Sequence, residues 1–356
     1  MLTYICSFNK AEKTIGKVLL MNPALIIIII LVLGVVFVNG WTDAPNAIAT
    51  VVSTRGMSPR SAVLMAAVLN FLGVLVMTHI NAKVAFTIGN MVSFGSGHDS
   101  LVALAAALVA IVVWAVAAWY FGIPTSESHA LIAGLTGAAL TMDGLSSVNG
   151  QEWIKVLYGL GISSVLGFIS GYFVVKLVAF LFKDMKRRNA NVFFRWAQVV
   201  AAGFMAFLHG AQDGQKFIGV FMMGILLAKG LDMPAAFDVP FWILVLCSVT
   251  MGIGTSVGGY RIIKAVGMDM VKLEKYQGFS ADIAASICLL ISTLTGIPVS
   301  TTHTKTTAIM GVGASRRMSM VNWGVVKEMV LAWVLTFPAC GLIGYIMAKI
   351  FLKVFV

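Results

Sequence analysis

Charge is what this sequence has least of. Only 11% of its 356 residues are Asp, Glu, Lys or Arg, where a soluble domain carries about 25%. With 59% hydrophobic residues and a mean hydropathy of +0.95, that scarcity excludes a soluble globular protein, a disordered chain and a coiled coil. Cysteine is also sparse: Cys6, Cys247, Cys288 and Cys340 are scattered, with no metal or redox spacing. That excludes a disulfide scaffold and leaves them as small core residues. No GxxxxGK[ST], HExxH, GxSxG or CxxC occurs, so ATP hydrolysis and familiar hydrolase chemistry have no support and the chain reads as a non-enzyme. What is present are uncharged runs such as Leu101 to Phe121, long enough to cross a hydrocarbon core of about 30 Å. They are continuous rather than alternating, which argues against a β-barrel. The expectation is an all-α polytopic protein of the cell (plasma) membrane, with the lipid bilayer as its solvent.

The net charge of +11 does not point to nucleic acid. The basic residues sit mainly in short connections, such as Lys183, Lys186, Arg187 and Arg188, where membrane topology requires them. At the N-terminus, Lys10, Lys13 and Lys17 precede an apolar stretch beginning near Val18, as in a signal peptide. No small-x-small cleavage site follows, so the stretch is kept as the first span. Residues 1–22 match nothing else in the chain and are read as an N-terminal extension.

An internal repeat decides the architecture. Asn39-Gly40-Trp41-Thr42-Asp43-Ala44-Pro45-Asn46-Ala47-Ile48 aligns with His209-Gly210-Ala211-Gln212-Asp213-Gly214-Gln215-Lys216-Phe217-Ile218, an offset of 170 from Asp43 to Asp213. Gly122-Ile123-Pro124-Thr125-Ser126-Glu127-Ser128-His129 aligns with Gly296-Ile297-Pro298-Val299-Ser300-Thr301-Thr302-His303, an offset of 174 from Ser126 to Ser300. The connections around Asp99 and from Asp143 to Glu152 hold acids and no Lys or Arg, so they read as external. Those from Arg261 to Lys275 and from Arg316 to Lys327 are basic and read as cytoplasmic. Each Gly-x-Pro motif then has both flanks on one side, making it the buried tip of a helical hairpin. One hairpin enters from each face. The chain therefore divides into a first repeat, 23–182, a basic cytoplasmic connection, 183–191, and a second repeat of inverted topology, 192–356, each with a broken helix and a hairpin. The short piece from Val84 to Phe94 is placed at the outer interface.

Of 14 acidic residues, only Asp43, Glu127, Asp213 and Asp282 fall inside apolar segments. A charge there costs at least ~2.5 kcal/mol by insertion scales and normally has a job or a partner. Asp43 and Asp213 occupy equivalent repeat positions, flanked by helix breakers and amides: Gly40, Pro45 and Asn46, then Gly210, Gln212, Gly214 and Gln215. Carboxylate, amide and freed carbonyl oxygens suit a hard cation, and a buried Asp capping a half-helix is the plainer alternative. Asp43, Asn46, Gln212, Asp213, Gln215 and Glu127 are thus candidate sodium ligands. Glu127 faces Thr301 across the repeat, which suggests an ion, proton or gating role held by one half.

The hairpin tips are hydroxyl clusters. Thr125, Ser126 and Ser128 follow Pro124, and Ser300, Thr301 and Thr302 follow Pro298. A Pro at the first helical turn, then free backbone N–H groups and hydroxyls, makes a site for a small oxyanion. His129 and His303 lie one turn on and could donate to the anion or lock the tip. His209, replacing Asn39, reads as structural. Lys216 and Lys305 could neutralise carboxylates or attract the anion, with snorkelling as a competitor. For Asp282 the expectation is a salt bridge.

These motifs resemble the inorganic phosphate transporter (PiT) family, whose members carry a duplicated G-A-N-D-x-A-N-A signature. Here it reads Gly40-Trp41-Thr42-Asp43-Ala44-Pro45-Asn46-Ala47 and Gly210-Ala211-Gln212-Asp213-Gly214-Gln215-Lys216-Phe217. The signature's first Asn is Thr42 in one half and Gln212 in the other, and Lys216 replaces the last. The Pro-Thr-Ser-Glu-Ser-His and Pro-Val-Ser-Thr-Thr-His segments are also similar to that family's. The resemblance spans Met21 to Val356 and implies symport of inorganic phosphate, driven by sodium in some members and by protons, sometimes with metal phosphate, in others. It also implies a homodimer. The residues themselves favour sodium as coupling ion and call for no cofactor. A channel would need a polar stripe along several spans, and an intramembrane aspartyl hydrolase using Asp43 and Asp213 would need a scissile site beside them.

Overall fold

The computed structural model describes residues 23–122, 125–231, 233–234 and 237–356. The N-terminal extension, Cys6 and Pro124 lie outside the described residues. Among those described there is no strand, only two isolated bridges, Val92 with Val148 and Val271 with Val321.

The first half runs α1 (Pro23–Thr42), α2 (Pro45–Ser53), α3 (Pro59–Ile80), the short α4 (Lys83–Gly89), α5 (His98–Phe121), α6 (Glu127–Asp143) and α7 (Gly150–Leu181). The second runs α8 (Arg187–Ala228), α9 (Phe241–Val257), α10 (Tyr260–Lys264, continued by a wide turn to Asp269), α11 (Lys275–Thr295), α12 (Thr301–Arg316) and α13 (Trp323–Phe355). Among the described residues, seven helices are long and apolar enough to cross a membrane. The pair Phe241–Val257 and Tyr260–Asp269, bent by 66°, raises the number to eight when taken as one span. This is a multi-pass plasma-membrane protein.

Local chemistry sets the boundaries. Ser58 accepts from Ser61 N at the start of α3, with Pro59 in the first turn. Asn149 accepts from Gln151 N and Glu152 N before α7, and Asn322 accepts from Val325 N before α13. The helices leading into the two tips, α5 and α11, both end on a glycine in the left-handed region, Gly122 at φ 69° and Gly296 at φ 78°, the conformation that a residue without Cβ adopts freely.

Packing interleaves the halves. α12 lies along α7 and α6 along α13, so the second arm of each hairpin rests on the last helix of the other half. Close approach needs small residues: a Cβ on Gly137 would strike the Gly341 backbone, and one on Gly171 the Ala308 backbone. α3 packs on α8, and α9 on α1. The largest core cluster joins α1, α5, α6 and α8 through Leu25, Leu104, Leu131 and Phe221.

Four expectations change. The signature helix is interrupted only in the first half, at Asp43 and Ala44; α8 runs unbroken through Asp213. Gly210 and Gly214 do not break α8 because they serve as contact surfaces: a Cβ would meet the Asn70 backbone at one and the Val74 side chain at the other. The basic stretch is partly helical, since α8 begins at Arg187. The segment placed at the outer interface folds as α4 and an irregular run, with Val84, Ala85, Ile88 and Phe94 buried; α4 is buried against α8. Pro298 stands before the cap Ser300 rather than in the first turn of α12.

Candidate functional site

The two hairpin tips meet. Ser126 caps α6 by accepting from His129 N at 3.4 Å, and Ser300 caps α12 by accepting from His303 N at 3.1 Å. Ser300 Oγ then donates to Ser126 Oγ at 2.8 Å. Both serines are fully buried. Two helix N-termini, each with unsatisfied first-turn N–H groups and positive dipole ends, converge on one point, with Thr125 beside them and 8% exposed.

Next to the tips lie the carboxylates. Thr301 Oγ1 donates to Asp213 Oδ2 at 3.0 Å and lies 3.5 Å from Asp43 Oδ2, between the two halves. Thr302 donates to Asp43 Oδ1. Asn46 Nδ2 donates to the same oxygen at 2.6 Å and reaches Thr302 Oγ1 at 3.2 Å. Asn39 Nδ2 is 3.5 Å from Asp213 Oδ2. Glu127 turns to the first half, where its Oε1 accepts from Thr42 Oγ1 at 3.0 Å. Single ligand atoms of Asp43, His209 and Asp213 lie within 4.8 Å of one another, a spacing that one metal ion could bridge.

Lys216 is the largest surprise. Its side chain is fully buried, so it does not snorkel. The ammonium donates to Asp213 Oδ1 at 2.6 Å, to Ser128 Oγ at 2.5 Å and to the Val299 carbonyl at 2.6 Å, using all three protons. Among the described residues Asp213 also has His209 Nε2 at 3.3 Å, whereas Asp43 and Glu127 have no ion-pair partner. His209, read from the sequence as structural, is therefore in the cluster; its Nδ1 is held by Asn70 Oδ1 at 2.8 Å.

Other candidates sit elsewhere. Gln212 Nε2 holds the Ile297 carbonyl at 2.9 Å and its oxygen accepts from Thr293. Gln215 Oε1 accepts from Val84 N at 3.2 Å, turned to α4 rather than the carboxylates. The His129 and His303 rings pack edge to face at 4.3 Å, against Phe337 and Trp333. They line a cleft of about 310 Å³ with Leu160, Met310 and Val330, an apolar setting behind the tips. Asp282 has its expected salt bridge, with Lys305, and both are buried. Of the described cysteines, Cys247, Cys288 and Cys340 are free.

The sequence pointed to the repeat positions but not to donor against acceptor. A signal was available: Lys216 stands where the first half has Asn46, three residues after the repeated aspartate, and a lysine three residues on shares the aspartate's helix face.

Residues 39–344 match the model of the phosphate transporter family. A probable low-affinity inorganic phosphate transporter of Bacillus subtilis (strain 168) is 38% identical over 321 residues, covering 90% of this chain and 95% of the relative. One of Rhizobium meliloti (strain 1021) is 40% identical over 322 residues, with the same coverage. Among solved structures, a sodium-dependent phosphate transporter superposes with a TM-score of 0.85 at 24% identity, over 94% of this chain and 100% of that one.

Proposed function

The chain belongs to the phosphate transporter family, and from that membership we propose a symporter that moves inorganic phosphate with sodium by alternating access. Phosphate takes the place where the tips meet. The N-termini of α6 and α12 and the hydroxyls of Ser126 and Ser300 are its donors, with Thr125, Ser128, Thr301 and Thr302 at the margin. His129 and His303 hold the tips from behind. The two repeats are inverted copies, and movement of one hairpin against the other half exposes this point to alternate sides.

One observation carries the need for a cation. The buried oxygens Asn39 Oδ1, Asn46 Oδ1 and Glu127 Oε2, on residues around the Asp43–Asp213 pair, have no hydrogen-bond partner among the described residues. All are acceptors. Orphaned acceptors beside an unpaired carboxylate, at membrane depth, are costly until a positive charge arrives. A hard monovalent cation with carboxylate, amide and hydroxyl ligands fits that donor set, and the sodium dependence in the superposed transporter's name agrees. Asp43, Asn46 and Glu127 are assigned as its ligands, with Asp213 shared between this site and Lys216. A homodimer is proposed from the resemblance alone.

Labelled phosphate uptake into proteoliposomes, with sodium and proton gradients imposed separately, tests the reading. A sodium gradient alone should drive accumulation, and Asp43→Asn should abolish it. Accumulation driven by a proton gradient alone would transfer the assignment to proton-coupled phosphate or metal-phosphate symport. For the inverted topology, single cysteines at Ser146 and Ser319, both exposed, should label from outside and from inside respectively in a background free of native cysteine. Labelling of both from outside would sink the paired-hairpin arrangement.

A further inference from the structure

The two halves build the same constellation with different charge. In the first, Asn46 Nδ2 touches Asp43 Oδ1 at 2.6 Å and Thr302 Oγ1 at 3.2 Å. In the second, Lys216 Nζ touches Asp213 Oδ1 at 2.6 Å and Ser128 Oγ at 2.5 Å. Asp43 and Asp213, Asn46 and Lys216, Ser128 and Thr302 are equivalent by the repeat offsets. The neighbours follow the same rule. Asn39 and Glu127, each with an unpartnered oxygen, correspond to His209 and Thr301, both of which sit against Asp213. At two of these positions, Lys216 and Thr301, the second half places a donor on Asp213 where the first half ends in a bare acceptor.

We infer that the Lys216 ammonium is a tethered cation occupying, in the second half, the position that a mobile coupling cation takes in the first. Its three contacts are a carboxylate, a hydroxyl and a main-chain carbonyl, all oxygen acceptors of the kind that hold a hard cation. An ammonium of fixed charge satisfies them permanently. Asp213 is therefore neutralised in every state of the cycle, and only the Asp43 side responds to the cation gradient. The protein couples one cation fewer per phosphate than a fully duplicated site would.

This rests on the cation-coupled reading above, and one measurement separates the two. In purified full-length protein, phosphate affinity is measured as a function of sodium concentration at constant ionic strength. The slope of log affinity against log sodium counts the linked ions. Lys216→Asn, which copies the first half into the second, should raise that slope by about one. Asn46→Lys, which copies the second into the first, should lower it by about one. Lys216→Arg keeps the charge and should leave the slope at the wild-type value. A wild-type slope of zero that becomes about one in Lys216→Asn would remove sodium from the native cycle and leave the tethered cation standing. A positive wild-type slope that Lys216→Asn does not change would overturn the tethered cation and leave sodium coupling standing. If Lys216→Asn does not fold, a positive wild-type slope that Asn46→Lys leaves unchanged overturns it.

Discussion

The two hairpins hold themselves to the rest of the protein in opposite ways. In the second, Asp282 on α11 pairs with Lys305 on α12, and Thr50 on α2 donates to the same carboxylate oxygen at 2.7 Å. All three side chains are fully buried. The repeat-equivalent positions are Leu108 and Leu131 in the first hairpin and Val220 on α8, fully buried in one apolar cluster. An apolar trio packs in many near-equivalent ways, whereas an ion pair with a third hydrogen bond fixes one geometry and costs heavily when half of it is lost. The difference teaches that equivalent positions of the two hairpins kept their burial while their chemistry diverged.

Removing one member of the ionic trio is the harshest way to break that contrast. Asp282→Ala or Lys305→Ala should cost about 3–5 kcal/mol by leaving a buried charge unpaired, read as a large fall in thermal stability of the purified protein. A loss below about 1 kcal/mol would mean that water reaches the pair. Leu108→Ala, the matching change in the apolar trio, should cost roughly 2–5 kcal/mol through lost contact and cavity, measured in the same melt. Ser126→Ala and Ser300→Ala address the place where the halves agree. Each should weaken phosphate binding by about 1.5–3 kcal/mol, one donor to a charged ligand, seen by equilibrium binding; equal and unchanged affinities in both would confine the hydroxyls to capping. Thr50→Val removes the hydroxyl that donates to Asp282 and accepts from Lys305, and should cost about 1–2 kcal/mol in the same melt. The smallest change is expected from the double variant Asp282→Leu with Lys305→Leu, which rebuilds the first hairpin's chemistry in the second. Buried pairs replaced as a unit are often neutral or stabilising, so the melt should stay near wild type. A folded double variant without phosphate uptake would show that the pair does more than hold the hairpin.

Much of this was legible in the sequence, and the misses have physical reasons. The all-helical class could be read from the long uncharged runs, and the pairing of the two tips because Gly122, Ser126 and His129 recur in order as Gly296, Ser300 and His303. The continuity of α8 could not. Gly210 and Gly214 read as breakers beside Asp213, yet a glycine inside a membrane helix is as often a place where another helix comes close, and only the neighbours Asn70 and Val74 decide which. Thr301 and Thr302 read as anion donors by their place at a helix start, but their hydroxyls reach Asp43 and Asp213. That choice depends on the tertiary approach of α12 to α2 and α8. For Lys216 the chain position was visible, whereas burial settles between snorkelling and pairing, and burial is a property of the fold.

The bond between Ser300 and Ser126 has a further consequence for symmetry itself. Each hydroxyl carries one proton and already accepts from its own helix. A pair related by a two-fold axis cannot share protons equally, because only one member can donate across the contact. Ser300 donates here, so the Ser126 proton is the one left to turn elsewhere. The centre of the molecule thus has two proton orderings of similar geometry, and each leaves a donor pointing away from a different hairpin. In the proposed phosphate site, a tetrahedral anion between the tips would accept from both hydroxyls, so that neither serine need donate to the other.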